Sequence, residues 1–354
     1  MSDNRLYFID ALKGLAIILV VYYHIFMYVL SCTSVLNEFF ISWTMPLFFF
    51  VSGYFSFEHH YDASLTKKRI HNRIFKQLHP TVLICLFYVL TVFFVRQEAP
   101  LKEYLLHAVY DPSKTGYWFT FSLVQVFLFS CIIQYGFHRF KAATNTQRVA
   151  LSLLFFITAM LSDVSTINFD NSPAPVRVFW NISSLGKTTE LMSFFILGSL
   201  FKSFGNKAFY FISRIPILTL GIALIALSHY LPEYYMVYFC GRLGALIFII
   251  GSCYRLQNTL NPKNIIGRYL IRIGSQTLPI YLFHFFILLF VGLAVPYPES
   301  VKELIANPIV EFVTLSVISI LITELCLLAD HLIKKSPKCH KLIFNPTIRW
   351  NIQP

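Results

Sequence analysis

Apolar residues in this chain are gathered into long runs separated by short polar breaks. The runs fall near residues 6–31, 38–57, 80–95, 118–137, 149–161, 188–204, 215–231, 234–253, 275–295 and 309–331. Soluble cores come in short periodic stripes, whereas these runs approach the ~20 residues that a helix needs to cross a hydrocarbon core. The pattern predicts an all-α fold, a polytopic transmembrane helical bundle of about ten spans. The shortest runs, 80–95 and 149–161, read as full spans or as shallow, re-entrant ones. The two-residue break Pro232-Glu233 demands a tight helical hairpin.

Composition agrees with a bilayer as solvent. Hydrophobic residues make up 56% of the chain and charged residues only 13%, against roughly 25% charged in soluble domains. The first run, Leu6 to Leu30, is too long for a removed leader, carries Lys13 and lacks a small-residue cleavage site, so it reads as a first span. The longest segment between runs, 162–187, is rich in Asp, Ser, Asn and Pro and too short for a soluble domain. The chain therefore divides into a membrane domain over 1–335 and a basic cytoplasmic tail over 336–354.

Charge orients the bundle. With both termini cytoplasmic, most of the 29 Lys and Arg residues fall on inner segments, including Lys67, Lys68, Arg69, Arg73 and Lys76, and Lys334, Lys335, Lys338 and Lys341 at the C-terminal end. Arg96, Lys102, Lys114, Arg177, Lys187 and Lys302 fall outside. This is the positive-inside bias. The net charge of +12 is thus accounted for without nucleic acid. The seven cysteines show no metal or disulfide spacing, and neither a metal site nor a disulfide framework is expected.

Any chemistry must then sit among the helices. An ionised group at a helix centre costs about 2.5–3.5 kcal/mol on insertion scales and calls for a partner or a water-filled cavity. Lys13, His24, Arg242 and His284 are placed so. Lys13 lies near the inner end of its run, where it either snorkels out, paired with Asp10 at i−3, or serves a site. Eleven residues of helix advance the azimuth by about three turns plus 20° and the axis by ~16.5 Å, so Lys13 and His24 share a face, with Asp10 within about 40° of it. That stripe is expected to line an internal cavity. Arg242 needs a counter-charge, for which Glu324 is a candidate.

Three further elements stand out. The second run ends in Phe48-Phe49-Phe50-Val51-Ser52-Gly53, where Gly53 permits close helix approach. After it, Arg69, Arg73 and Lys76 fall at i, i+4 and i+3 spacings at a cytoplasmic boundary, a pattern that binds lipid headgroups or captures a phosphorylated ligand. In the ninth run, Thr277-Leu278-Pro279-Ile280-Tyr281-Leu282-Phe283-His284 puts His284 near mid-membrane, about 14 Å along a helix from Ser275. It reads either as a site residue or as a hydrogen bond between helices.

In order and placement these elements resemble the acyltransferase 3 family of bacterial inner-membrane enzymes, which O-acylate cell-surface and exported carbohydrates. The matching residues are Lys13-Gly14 followed by His24, the Ser52-Gly53 element, and Thr277 to His284. Relatives commonly carry arginine where this chain has Lys13, which keeps the charge and loses the planar fork. The family's cytoplasmic arginine pair before a proline maps to Arg73 and Lys76 ahead of Pro80, with Arg69 as the alternative partner.

The resemblance implies a multi-pass protein of the bacterial inner membrane that moves an acyl group, usually acetyl, from cytoplasmic acyl-CoA to a carbohydrate hydroxyl on the far side. It implies no permanently bound cofactor. Its partners are acetyl-CoA or another acyl-CoA as donor, a carbohydrate acceptor that is free or lipid-linked, and membrane lipids. His24 is the expected general base, Lys13 and His284 are further catalytic candidates, and Arg69, Arg73, Lys76 and Lys13 are candidates for the CoA phosphates. Asp10, Ser52, Tyr281 and Arg242 support them. The rival from another class is an exporter or flippase of a lipid-linked glycan that uses the same charged stripe as a path. A third reading is a structural partner of a glycan-synthesis complex, in which Lys13 and His24 are dispensable.

Overall fold

The computed structural model describes residues 6–30, 34–58, 61–110, 116–161, 185–231, 234–294 and 307–344. Among the described residues every regular element is helical, and each of the ten apolar runs carries a helix. Arg5, Cys32, Lys114, Arg177, Lys302, Arg349, the Pro232-Glu233 break and most of the segment 162–187 lie outside the described residues.

The first span joins α1 (Tyr7–Ile25) to a π-helical turn (Phe26–Leu30), and α2 (Val35–Ser56) follows with Ser34 as its N-cap. Next come α3 (Ala63–Arg73), a second π turn (Ile74–Leu78) and α4 (His79–Arg96), which together make one helix of 34 residues. Of the two readings of 80–95 the full span holds: that run is the apolar end of a long helix whose other end is the basic segment. Pro80 has no N–H to give the preceding turn. The wider π turn just before it lets the helix run on.

After a short α5 (Leu101–Tyr110) come α6 (Trp118–Arg139), α7 (Thr144–Leu161) and α8 (Leu185–Phe204). Then follow α9 (Asn206–Ile212), α10 (Ile215–Tyr230) and α11 (Tyr235–Arg255). The chain ends in α12 (Ile265–Gly274), α13 (Thr277–Ala294), α14 (Pro308–Lys335) and α15 (Pro337–Phe344). Among the described residues six helices are long and apolar enough to cross a membrane, or up to eight if the bent pairs α9–α10 (66°) and α12–α13 (79°) each count as one. The protein is therefore a multi-pass helical membrane protein.

The bend between α12 and α13 corrects the sequence reading of the ninth run. Ser275 lies in the corner and not on the helix that carries His284, so the straight-helix distance between them does not hold. The corner is set by glycine. A methyl on Gly14 would strike the Leu270 carbonyl and one on Gly274 the Asp10 carbonyl, so α12 crosses α1 backbone to backbone at the level of Lys13. Small residues allow such contact in membranes. From there α13 runs beside α1. Gly53 and Gly198 clamp α2 to α8 in the same way, against the Phe195 and Phe50 carbonyls. Gly221 and Gly244 bring α10 and α11 together.

Part of the basic tail is also placed. α15 packs back on α4, with Ile343 buried and its carbonyl 3.2 Å from Nδ1 of His79.

Candidate functional site

α1 is the axis of the site. It is almost wholly buried, and one face of it presents Lys13, Ile17, Val20 and His24 at i, i+4, i+7 and i+11. Lys13, Ile17 and Val20 line a cavity of about 220 Å³ and His24 lines a second of about 310 Å³. The stripe foreseen from helical azimuth faces internal space. Asp10 holds the Lys13 ammonium at 2.7 Å.

His24 and His284 meet across α1 and α13. Nδ1 of His24 is 2.9 Å from Nε2 of His284, and Nδ1 of His284 is 3.0 Å from the Ile280 carbonyl oxygen. A carbonyl only accepts, so His284 carries its proton on Nδ1, and its bare Nε2 must accept from His24. His24 is thereby a donor at Nδ1 and proton-free at Nε2. That is the tautomer of a base. His284 is fully buried, with the Phe285 ring centroid 4.0 Å from its own, so its orientation is fixed.

Around the pair, Tyr281 donates to the Gly116 carbonyl (3.1 Å) and Tyr117 to the Leu282 carbonyl (2.9 Å), tying α13 to the start of α6. Tyr281, Met45 and Phe119 line both cavities. These three side chains form the wall between them.

The first cavity holds the cationic side of the site. Arg73 donates to Ser52 Oγ (2.8 Å) and to Gln77 Oε1 (2.8 Å) and lies over the Phe127 ring, 5.0 Å from its centroid. Lys13, Ser52, Arg73 and Gln77 all face this space. The other two cations read from the sequence are placed elsewhere. Arg69 is held by Glu58 (2.5 Å) and the Ser56 carbonyl (3.1 Å), and Lys76 is exposed on the second π turn, outside the cavity lining. The cause is helical spacing: Ser52, one turn before the end of α2, meets Arg73, and the end itself, at the Ser56 carbonyl, takes Arg69.

The second cavity holds a buried ion pair. Arg242 pairs with Glu190 of α8, and its Nε donates to the Ser42 carbonyl at 3.1 Å. Glu324 instead pairs with Arg272, so the candidate counter-charge from the sequence is corrected. Glu190 lies inside the run 188–204, where the rule that picked out Arg242 would have found it. Trp118, Tyr23 and Tyr238 complete the polar and aromatic lining. Gln77 and Thr120 of the first cavity had no sequence signal, being ordinary polar residues at helix positions.

Residues 6–327 match the family described as acyltransferase domain, nearly the whole chain. Fold and site thus define a multi-pass membrane acyltransferase, and the chain belongs to that family, as the resemblance indicated. Neither the curated proteins nor the solved structures contain a significant match to it.

Proposed function

We propose that the protein crosses the bacterial inner membrane ten times with both termini in the cytoplasm and transfers an acetyl group from acetyl-CoA to a carbohydrate hydroxyl on the far side. The observation that carries this reading is the His24–His284 hydrogen bond, with His24 lining the second of two cavities of different character that share Met45, Phe119 and Tyr281. The first, lined by Lys13 and Arg73, suits the arm and anionic end of the donor. The second, with aromatic rings beside Glu190 and Arg242, suits a sugar, which has apolar ring faces and many hydroxyls. The lysine and arginine clusters of the cytoplasmic segments support the orientation.

The acceptor hydroxyl gives its proton to Nε2 of His24 as its oxygen attacks the thioester carbonyl. The tetrahedral adduct then collapses, the C–S bond breaks, and the CoA sulfur leaves with the proton returned by His24. His284 accepts from Nδ1 throughout and steadies the imidazolium form. Lys13, balanced by Asp10, and Arg73, braced by Ser52 and Gln77, hold the donor phosphates. Membership of an acyltransferase family weighs against the exporter reading.

The test is transfer of labelled acetyl from acetyl-CoA to the host's glycans in membranes carrying the wild-type protein or His24→Ala. Wild type labels the glycan, and the variant, inserted to the same level, falls by 10²-fold or more. Equal rates remove His24 as the base. No labelling by either protein removes acetyl-CoA as donor.

A further inference from the structure

A third cavity of about 640 Å³ opens where α6 ends and α7 begins, and the chemistry above makes no use of it. Its walls are Tyr61, Tyr135, His138, Arg139, Lys141 and Gln147, among others. Tyr61 has its ring 5.2 Å from that of His138, tilted by 30°, and 5.7 Å from that of Tyr135. Arg139 and Lys141 are exposed at the mouth. Gln147 is 6% exposed and donates through Nε2 to the Ala142 carbonyl (2.9 Å), yet its Oε1 is buried without a partner. An orphaned buried acceptor calls for a donor from something bound. Aromatic rings, two cations and a bare amide oxygen together match a purine with phosphate groups.

Position gives this cavity a role. α6 lines all three spaces in order: Trp118 and Phe119 border the second, Phe119, Thr120 and Leu123 the first, and Gln134, Tyr135 and His138 the third. Phe119 and His138 are about 28 Å apart along the helix axis. On the side of the third cavity toward the first, its lining residues Glu58 and Gln134 are tied to Arg69 and the Ser56 carbonyl, and Arg69 shares its helix with Arg73 of the first cavity. A long donor with its thioester at the wall of Met45, Phe119 and Tyr281 would run past Arg73 and end at the third cavity.

Resting on the donor assignment above, we infer that the third cavity binds the nucleotide end of the acyl-CoA donor. The adenine lies against Tyr61, Tyr135 and His138, its amino group donates to Gln147 Oε1, and Arg139 and Lys141 take the ribose phosphate.

The test uses the full chain in lipid nanodiscs and two readouts. The first is direct binding of adenosine 3′,5′-bisphosphate, which has the nucleotide end and no thioester. The second is kcat/KM for acetyl-CoA relative to S-acetylpantetheine, which has the thioester and no nucleotide. Arg139→Gln and Lys141→Gln alter exposed side chains, so folding is retained, and Gln147→Leu tests the buried acceptor. In the double Arg139→Gln/Lys141→Gln protein the bisphosphate should bind at least tenfold more weakly and the kinetic ratio should fall by a similar factor. Unchanged bisphosphate binding in that protein overturns the inference. So does binding that follows the anionic-lipid content of the disc and ignores the nucleotide, the result for a headgroup site. A protein that binds the bisphosphate through these residues but transfers no acetyl would refute the donor role of the main site and leave the nucleotide site standing.

Discussion

Nε2 of His284 lies 2.9 Å from Nδ1 of His24, bringing together residues 260 positions apart in the chain. The bond sets which nitrogen of His24 is free of its proton, so in the proposed reaction His284 would act through His24. His284→Ala should lower kcat by about 10²-fold and leave the KM for the donor near its original value. His284→Gln, whose amide oxygen accepts the same bond, should recover part of the loss. Steady-state kinetics of the two variants decide it, and equal losses would mean that the histidine only fills space.

Arg242 and Glu190 neutralise each other in a buried setting. Glu190→Ala leaves the guanidinium without its partner and should destabilise the fold by about 3–5 kcal/mol, visible as a lower thermal unfolding midpoint in detergent. The double variant Glu190→Ala/Arg242→Met should fold better than Glu190→Ala alone. It should still bind acceptor poorly, because both charged groups of the second cavity are gone.

Arg73 holds Ser52 and Gln77 at once with its two terminal nitrogens. Lysine cannot span both. Arg73→Lys should therefore raise the KM for acetyl-CoA by more than tenfold with a smaller change in kcat, whereas Lys76→Ala, on the exposed π turn, should change neither by more than about twofold. Initial-rate measurements against donor concentration separate the two.

The α1–α12 crossing has no room for a side chain at Gly14 or Gly274. Gly274→Val should push α12 away from α1, lower stability and cost activity by displacing α13, which carries His284. Crosslinking between cysteines placed on α1 and α13 would report the displacement; an unaltered pattern would show that the crossing does not position the histidine.

Much of this was legible in the sequence, for identifiable reasons. The apolar runs located the helices because the bilayer demands length and apolarity together, and Lys13 with His24 could be put on one face because helical azimuth is a property of a single helix. Partners were less legible. Arg242 required a carboxylate, but hydropathy carries no partner information, so Glu324 was named and Glu190 emerged as the partner only once the helices were packed. The 79° corner at Ser275 and the continuous helix through Pro80 were missed for a related cause: an apolar run records burial in lipid and is blind to the direction of the backbone. Arg69, Arg73 and Lys76 looked equivalent by spacing, and only the neighbouring end of α2 separated them.

Met45, Phe119 and Tyr281 stand between the two cavities. A catalyst that joined an inner compartment to an outer one by an open channel would leak ions and dissipate the gradients its membrane maintains. In the proposed reaction a plug of these side chains avoids this, since only the two carbons and one oxygen of an acetyl group would need to pass it in each turnover. The same plug then acts as a sieve: the smaller these three residues are, the longer the chain that can be handed across, and Met45→Ala should begin to admit groups larger than acetyl.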